Sequence, residues 1–424
     1  MSKPKLLWLS DILTKSGFGV VAENNLKYLQ VKYDIAAAGW NFDPRQQYRR
    51  PWNIYYVPKN INPQMGITMS GIMDSLVTAI QKENPDVLMC YADPWDFPYV
   101  SDEFYIEGQV YNGLKRLFPN LRIVGHLTAD AYPLPSYIRR QLMFYDAISV
   151  PSEFSKKALQ LLIPNTPIDV IYHGHDQDIF KKIHPNALQE FKGQLGLRGE
   201  FVVGFNGRNQ NRKNIPGLLR AFKKFNTKCP NSKLLLMTEI DSPHAVNQLR
   251  YIIDRMGLGT HIIIPQNFGP KGNVSDEQMA MYYNCMDVYC SLAMAEGFGL
   301  PILEAMACGV PVVHTNYSAP VELIENSQGG LLVDVGGWIN ENMFDRNFAI
   351  ADEDHAAGLL QYLYENPEQR KILGNNARLW ASKETWLHSA KQFDEFISKA
   401  LNKPTLQKVP MVFSREVFDK EGVI

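Results

Sequence analysis

In Glu296-Gly-Phe-Gly-Leu-Pro-Ile-Leu-Glu304-Ala-Met-Ala-Cys-Gly-Val-Pro-Val-Val313, two carboxylates flank a Gly-rich turn with seven residues between them. A second turn, Gly309-Val-Pro311, leads into an apolar strand. Pro301 suits the first position of a helix, where a backbone N–H has no intrahelical partner to lose, and Gly309 suits the position just past its end. The spacing predicts a loop over 297–300 and a short buried helix with Glu304 in its first turn. N–H groups at a helix start attract anions, phosphate above all. Gly297 and Gly299 let a ligand approach the backbone with no Cβ in the way. A carboxylate only accepts hydrogen bonds, and it can hold two neighbouring hydroxyls at once. Helix packing accounts for Ala305-Met-Ala-Cys308 but not for a Glu on either side of the turn. A phosphate seat between two hydroxyl-gripping carboxylates describes a site for a nucleotide sugar.

Working outward, Glu200-Phe-Val-Val-Gly-Phe205, Lys233-Leu-Leu-Leu-Met237, His261-Ile-Ile-Ile264, Val288-Tyr-Cys290, Pro311-Val-Val313 and Gly330-Leu-Leu-Val333 read as buried strands between helical patterns. Such alternation predicts a doubly wound parallel sheet, whose ligands bind beyond the carboxyl ends of the strands. Arg208 and Lys213, in the loop after the first of these strands, and the Glu296 loop all fall at those ends. Arg208 offers a planar fork and Lys213 a point charge, and both would reach the same phosphates. Arg212 is the surplus cation of that loop.

The N-terminal half repeats the pattern. Strands are predicted at 6–9, 54–57, 85–91, 122–126, 147–150 and 168–171. Gly17 and Gly19 lie in a loop after the first strand, with a helix predicted from Val20 to Leu29. This spacing departs from the dinucleotide fingerprint. His126 ends one strand, and Asp93-Pro-Trp-Asp96 follows another. Aromatic and basic residues crowd 40–63, where they would stack on sugars or pack beneath a long loop. The division is 1–185, an acceptor-side domain; 186–380, a nucleotide-sugar-binding domain; and 381–424, a helix and tail.

The 424 residues carry a net charge of −1, and 45% are hydrophobic, which suits two globular domains and gives no global field for nucleic acid. Five scattered cysteines fit a reduced, cytoplasmic compartment, and no spacing suggests a metal. No apolar run reaches a membrane span.

The chain resembles retaining GT-B glycosyltransferases of the GT4 type. The resemblance is carried by the Glu-x7-Glu pair Glu296 and Glu304, by Asp287-Val-Tyr, by Gly207-Arg208 with Lys213, by Val150-Pro-Ser152, and by Tyr172-His-Gly-His-Asp176. It implies two Rossmann-like doubly wound domains facing a cleft, with the last helix crossing back to the N-terminal domain. It implies that a hexose-type sugar moves from a nucleotide-diphosphate sugar, UDP by default, to an acceptor hydroxyl with retention of configuration. No metal or cofactor would be needed. By resemblance, Glu304 would hold the ribose. Glu296 and the N–H groups of Gly297, Phe298, Gly299 and Leu300 would touch the donor. Arg208 and Lys213 would neutralise the diphosphate. His126 would lie beside the donor sugar, and Gly17 and Gly19 near phosphate or acceptor.

The acceptor stays open between a glycan, a lipid-linked sugar, another hydroxyl compound and a modified nucleobase in DNA. No polybasic run supports nucleic acid. The alternative activities are a sugar-nucleotide epimerase of similar build and a silent binding module. The loops at 238–244 and 266–276 depart from the family and bear on which base is bound.

Overall fold

A computed structural model describes residues 3–106, 108–240, 246–265, 268, 274–341 and 346–403. Most of the two loops expected to choose the base, 241–245, 266–267 and 269–273, and the tail 404–424 lie outside them.

Seven strands build the first sheet: β1 (Lys5–Asp11), β2 (Asp34–Trp40), β3 (Asn53–Tyr56), β4 (Val87–Ala92), β5 (Arg122–Leu127), β6 (Ala147–Val150) and β7 (Ile168–Val170). All pair in parallel, in the order β3-β2-β1-β4-β5-β6-β7. Six more build the second: β8 (Phe201–Asn206), β9 (Ser232–Met237), β10 (Ile262–Ile263), β11 (Val288–Ser291), β12 (Val312–Thr315) and β13 (Gly330–Val333). Their order is β10-β9-β8-β11-β12-β13, again all parallel. Both sheets run outward from their first strand and then reverse, as a doubly wound fold requires. Strands covered on both faces read as unbroken apolar runs, and Leu6–Leu9 and Leu234–Met237 are fully buried.

Helix α1 (Gly17–Leu29) follows β1. It starts three residues before the expected Val20, because the Ser16 hydroxyl caps it by accepting from the Gly19 N–H at 3.0 Å. Helix α2 (Ile215–Lys228) follows the basic loop, and α3 (Leu300–Ala307) follows the Glu296 loop. The last helix, α4 (Trp386–Asn402), returns to the first sheet, where Phe393 packs on Trp8 with ring centroids 5.5 Å apart. The two chain segments that cross between the sheets pair with each other. The His175 N–H donates to the Glu384 carbonyl at 3.1 Å, and the Trp386 N–H donates to the His175 carbonyl at 3.3 Å.

Three features depart from expectation. Strand β2 has no counterpart in the sequence reading. A hairpin (Glu103–Ile106 with Gln109–Asn112) stands off the first sheet. A second hairpin (Val335–Glu341 with Arg346–Ala351) fills a stretch to which the sequence assigned no element.

Candidate functional site

The loop after β8 and the loop after β11 lie against each other at the carboxyl edge of the second sheet. The Met294 N–H donates to the Arg212 carbonyl at 2.7 Å. Arg212 Nη1 donates at 2.9 Å both to Glu296 Oε2 and to the Ala295 carbonyl, and Lys213 Nζ pairs with Glu296 Oε1. The Glu296 N–H in turn donates to Ser318 Oγ at 2.9 Å. Burial alone would raise the Glu296 carboxyl, but Lys213 and Arg212 hold it down at about 2. Burial pushes the Lys213 ammonium below its usual value, with Glu296 opposing and Arg212 adding to the push. Glu296 is therefore an ionised, buried carboxylate clamped between two cations.

Arg212 was the surplus cation of the sequence reading, yet it is built into the site. Arg208 is the member left over. It is exposed, and its side chain has no hydrogen-bond or ion-pair partner among the described residues. Of the two cations assigned to a diphosphate, one is open and the other already holds a carboxylate.

Helix α3 begins at Leu300, with Pro301 in its first turn. Gly299 precedes it with φ near +101°, a conformation that favours glycine. The N–H groups of Gly297, Phe298, Gly299 and Leu300 donate to no acceptor among the described residues. A Cβ on Gly297 would stand 2.1 Å from Thr128 Cγ2, so glycine here lets the two domains meet. Glu304 lies one turn deeper than the expected first turn. Its Oε2 accepts from the Tyr283 hydroxyl at 2.7 Å, and Asn206 Nδ2 donates to that hydroxyl at 3.0 Å. Burial raises the Glu304 carboxyl to about 8, against the Tyr283 hydrogen bond.

His126 is not at the cleft surface. It is fully buried, with Nδ1 3.0 Å from Ser149 Oγ and Nε2 3.2 Å from His173 Nε2. Burial and then His173 hold it well below its usual value, so it stays neutral. The Glu296 loop is met instead by His173 and Tyr172, whose ring centroids lie 4.7 and 5.8 Å from that of Phe298, and by Thr128, two positions past His126. Thr128 Oγ1 is buried with no hydrogen-bond partner. Gly17 does face this region, since a Cβ there would meet Leu300 at 3.8 Å. At Gly19 a Cβ would run into the Thr14 carbonyl oxygen at 2.4 Å, so glycine there lets the loop pack on the start of α1.

The sequence reading also missed the contacts that join the two sides of the cleft. Arg346, on the second hairpin, pairs with Asp130 at 2.7 Å and lies 4.7 Å from the Trp95 ring. Asp130 is 4.0 Å from Arg212 Nε. Asp93 stands in the same region, raised to about 8 by burial and by Asp96 and Asp130. No spacing in the sequence brings residues 130, 212 and 346 together; only the fold does. Among the described residues no cluster of three metal-ligating side chains occurs, and no helix is long and apolar enough to cross a membrane. All five cysteines are buried free thiols.

Residues 189–380 match the family model "Glycosyl transferases group 1". The chain is 25% identical over 267 residues to a capsular polysaccharide biosynthesis glycosyltransferase, CapM, of Staphylococcus aureus, a match covering 61% of this chain and 63% of that protein. It is 27% identical over 263 residues to a D-inositol 3-phosphate glycosyltransferase of Corynebacterium kroppenstedtii, covering 61% of this chain and 54% of the relative. The chain thus spans between half and two thirds of these relatives' own lengths. Among solved structures, a glycosyltransferase from Rickettsia africae superposes with a TM-score of 0.72 at 18% identity, covering 95% of this chain and all of that one. Anabaena HepE, solved in complex with UDP-glucose, gives 0.70 at 18% identity, covering 93% of this chain and 99% of its own. At that identity the likeness speaks to the fold. The fold is the GT-B arrangement of two Rossmann-like domains, and residues 189–380 form a glycosyl transferases group 1 domain within it.

Proposed function

We propose that the protein is a glycosyltransferase that moves a hexose-type sugar from a nucleotide-diphosphate sugar, a UDP-sugar first among them, to an acceptor hydroxyl with retention of configuration. The observation that carries this reading is the junction of the two loops at the edge of the second sheet. It puts an exposed, unpaired Arg208 on a loop that is hydrogen-bonded to the one supplying the open N–H groups of residues 297–300.

Each residue then has a chemical task. Arg208 and the start of α3 offset the charge that grows on the departing diphosphate. Glu304 accepts from the ribose hydroxyls, a role that needs its ionised form. Glu296 cannot serve as an acid, because Lys213 and Arg212 keep it ionised. It is suited to gripping sugar hydroxyls and ordering the loop. Asp130, the carboxylate that faces Arg212 from across the cleft, is paired with Arg346 and is not free to act as the acid of a retaining hydrolase. The leaving phosphate therefore takes the proton from the incoming hydroxyl on the same face, which preserves configuration. In this reading fixed cations do what a bound metal would otherwise do. The similar proteins include several glycosyltransferases and one solved as a UDP-glucose complex, which supports the donor class.

The decisive experiment is a thermal-shift titration with UDP, GDP and ADP, followed by the same titration on Arg208→Ala. One nucleotide should stabilise the parent. Arg208→Ala should fold as well as the parent, because its side chain is exposed and unpaired, while binding at least about tenfold more weakly for the loss of a charge-assisted contact. Equal shifts in parent and variant would refute the site. Sugar transfer to an acceptor, rather than appearance of a donor isomer, separates this reading from the epimerase.

A further inference from the structure

The helix Glu153–Gln160 of the N-terminal domain starts at the domain interface, and its first turn is completed from the other side. The first four N–H groups of a helix have no partner within it. Ser152 satisfies two of them: its hydroxyl accepts from the Ser155 N–H at 3.0 Å, and its carbonyl accepts from the Lys156 N–H at 3.0 Å. The other two turn to a carboxyl of the C-terminal domain. The Glu153 N–H donates to Glu322 Oε1 and Oε2 at 3.1 and 3.0 Å, and the Phe154 N–H adds a bond to the same group.

Glu322 stands in the first turn of the helix Pro320–Ser327. The residues just before it hold the Glu296 loop by its backbone. Ser318 Oγ accepts the Glu296 N–H at 2.9 Å, and the Ala319 N–H donates to the Glu296 carbonyl at 3.3 Å. Next to them, the Tyr317 hydroxyl accepts the Tyr132 N–H across the interface at 3.3 Å. The stretch 317–322 therefore ties the donor-side loop to the N-terminal domain at both of its ends.

The surroundings of Glu322 decide its charge. Burial raises its carboxyl first, the Glu153 carboxylate adds to the rise, and the N–H groups of Glu153 and Phe154 and the Lys157 ammonium oppose it, with the balance at about 7. Lys156 is drawn to Glu153 at 3.8 Å, and Glu325 follows Glu322 on its own helix. The Tyr172 hydroxyl is raised by burial and then by Glu322 and Glu153. When the domains part, the Glu322 carboxyl returns to water and toward its ordinary 4.5. A carboxyl whose value is higher in the closed form favours closure when protonated. Its contribution is full below 4.5 and is lost as pH rises through about 7. The protonated carboxyl keeps a carbonyl oxygen for the Glu153 N–H, so the cap outlasts the charge.

We infer that Glu322 is a positioning residue for the Glu296 loop, capping a helix of the other domain through a carboxyl that takes up a proton as the cleft closes. The setting of the loop then follows pH, and the consequence for sugar transfer rests on the function proposed above.

Small-angle scattering of the full chain, with hydrogen exchange read at the Glu296 N–H, tests this from about pH 5 to about pH 8. In the parent the open-to-closed ratio should grow by about tenfold per pH unit, the effect of one proton, and level off above about 7. Exchange at Glu296, corrected for its intrinsic pH dependence, should quicken in step. Glu322→Gln keeps an accepting oxygen and cannot ionise, so it should stay compact and protected throughout. Glu322→Ala loses the cap and should be more open at every pH. Reading the parent against Glu322→Gln removes titrations elsewhere in the cleft, that of Asp93 included. If parent and Glu322→Gln share one profile, or if Glu322→Gln is as open as Glu322→Ala, the inference is overturned. The thermal shift by UDP should survive in all three proteins. If shape and exchange follow the proton but no nucleotide diphosphate stabilises the protein, the device stands and the donor reading fails.

Discussion

Glu304 and Glu296 look like a matched pair in the sequence, and the fold gives them opposite charge states. Glu304 rises to about 8 because burial outweighs the single Tyr283 hydroxyl that favours its charge. Since this folded-state value lies above its ordinary 4.5, folding takes up a proton between the two, and this group's share of stability falls as pH rises through that window. Binding of hydroxyl donors works in the other sense, because they favour the carboxylate. Affinity for UDP-glucose, measured by calorimetry, should therefore strengthen as pH rises toward and past about 8. In Glu304→Gln it should be weaker and flat across the same range. A parallel slope in parent and variant would refute this assignment. Glu296 makes the complementary case. Lys213→Met would leave its buried charge with Arg212 alone, and breaking a buried pair costs about 3 kcal/mol or more. Chemical denaturation should show that loss, and Lys213→Arg should recover part of it. The charge types and spacing of both sites were legible in the sequence. Which cation pairs and which stays open was not, because Arg208, Arg212 and Lys213 differ only in where the loop turns them.

At the scale of elements, apolar runs and capping residues placed most strands and helices to within a few residues, since strands covered on both faces must be apolar throughout. Strand β2, Asp34-Ile-Ala-Ala-Ala-Gly-Trp40, escaped because alanine and glycine carry little strand preference; its place between β1 and β3 comes from the sheet around it. The hairpin of Val335–Glu341 and Arg346–Ala351 escaped because it belongs to neither sheet. It is held instead by its contacts, the Ala349 N–H donating to the Met294 carbonyl at 3.1 Å and the Asn347 N–H to the Tyr132 carbonyl at 3.0 Å. The start of α3 is the element on which both domains converge, and Gly297 is its point of closest approach. Gly297→Ala should wedge Cβ against Thr128 Cγ2 and open the cleft without unfolding either domain. Replacing Thr128 by Ala in the same chain removes that methyl and should restore the closed form. Small-angle scattering with UDP present reads both results, and a single variant as compact as the parent would overturn the expectation.

For the whole molecule, the chain of charges Arg346–Asp130–Arg212–Glu296–Lys213 joins the second hairpin, the loop after β5 and the site loops of the second sheet. Arg346 is therefore more than a hairpin anchor. It neutralises Asp130, which would otherwise draw Arg212 away from Glu296, and it stacks 4.7 Å from the Trp95 ring of the N-terminal domain. Closure of the cleft and ordering of the sugar-contacting carboxylate are then one event. Arg346→Ala removes the mostly buried partner of Asp130, and the loss should cost the closed state about 3 kcal/mol, the low end for a broken buried pair because Asp130 keeps Arg212 nearby. Scattering should show a larger radius of gyration, and turnover should fall. The thermal shift by UDP should survive, because the donor-side groups all stand on the C-terminal sheet. A double variant, Arg346→Ala with Asp130→Asn, decides whether the pair itself is responsible, since it should open the molecule little further than Arg346→Ala alone. If the two substitutions add fully, or if Arg346→Ala scatters like the parent, the charge chain does not govern closure and the domains are held by the Tyr132–Tyr317 contacts instead.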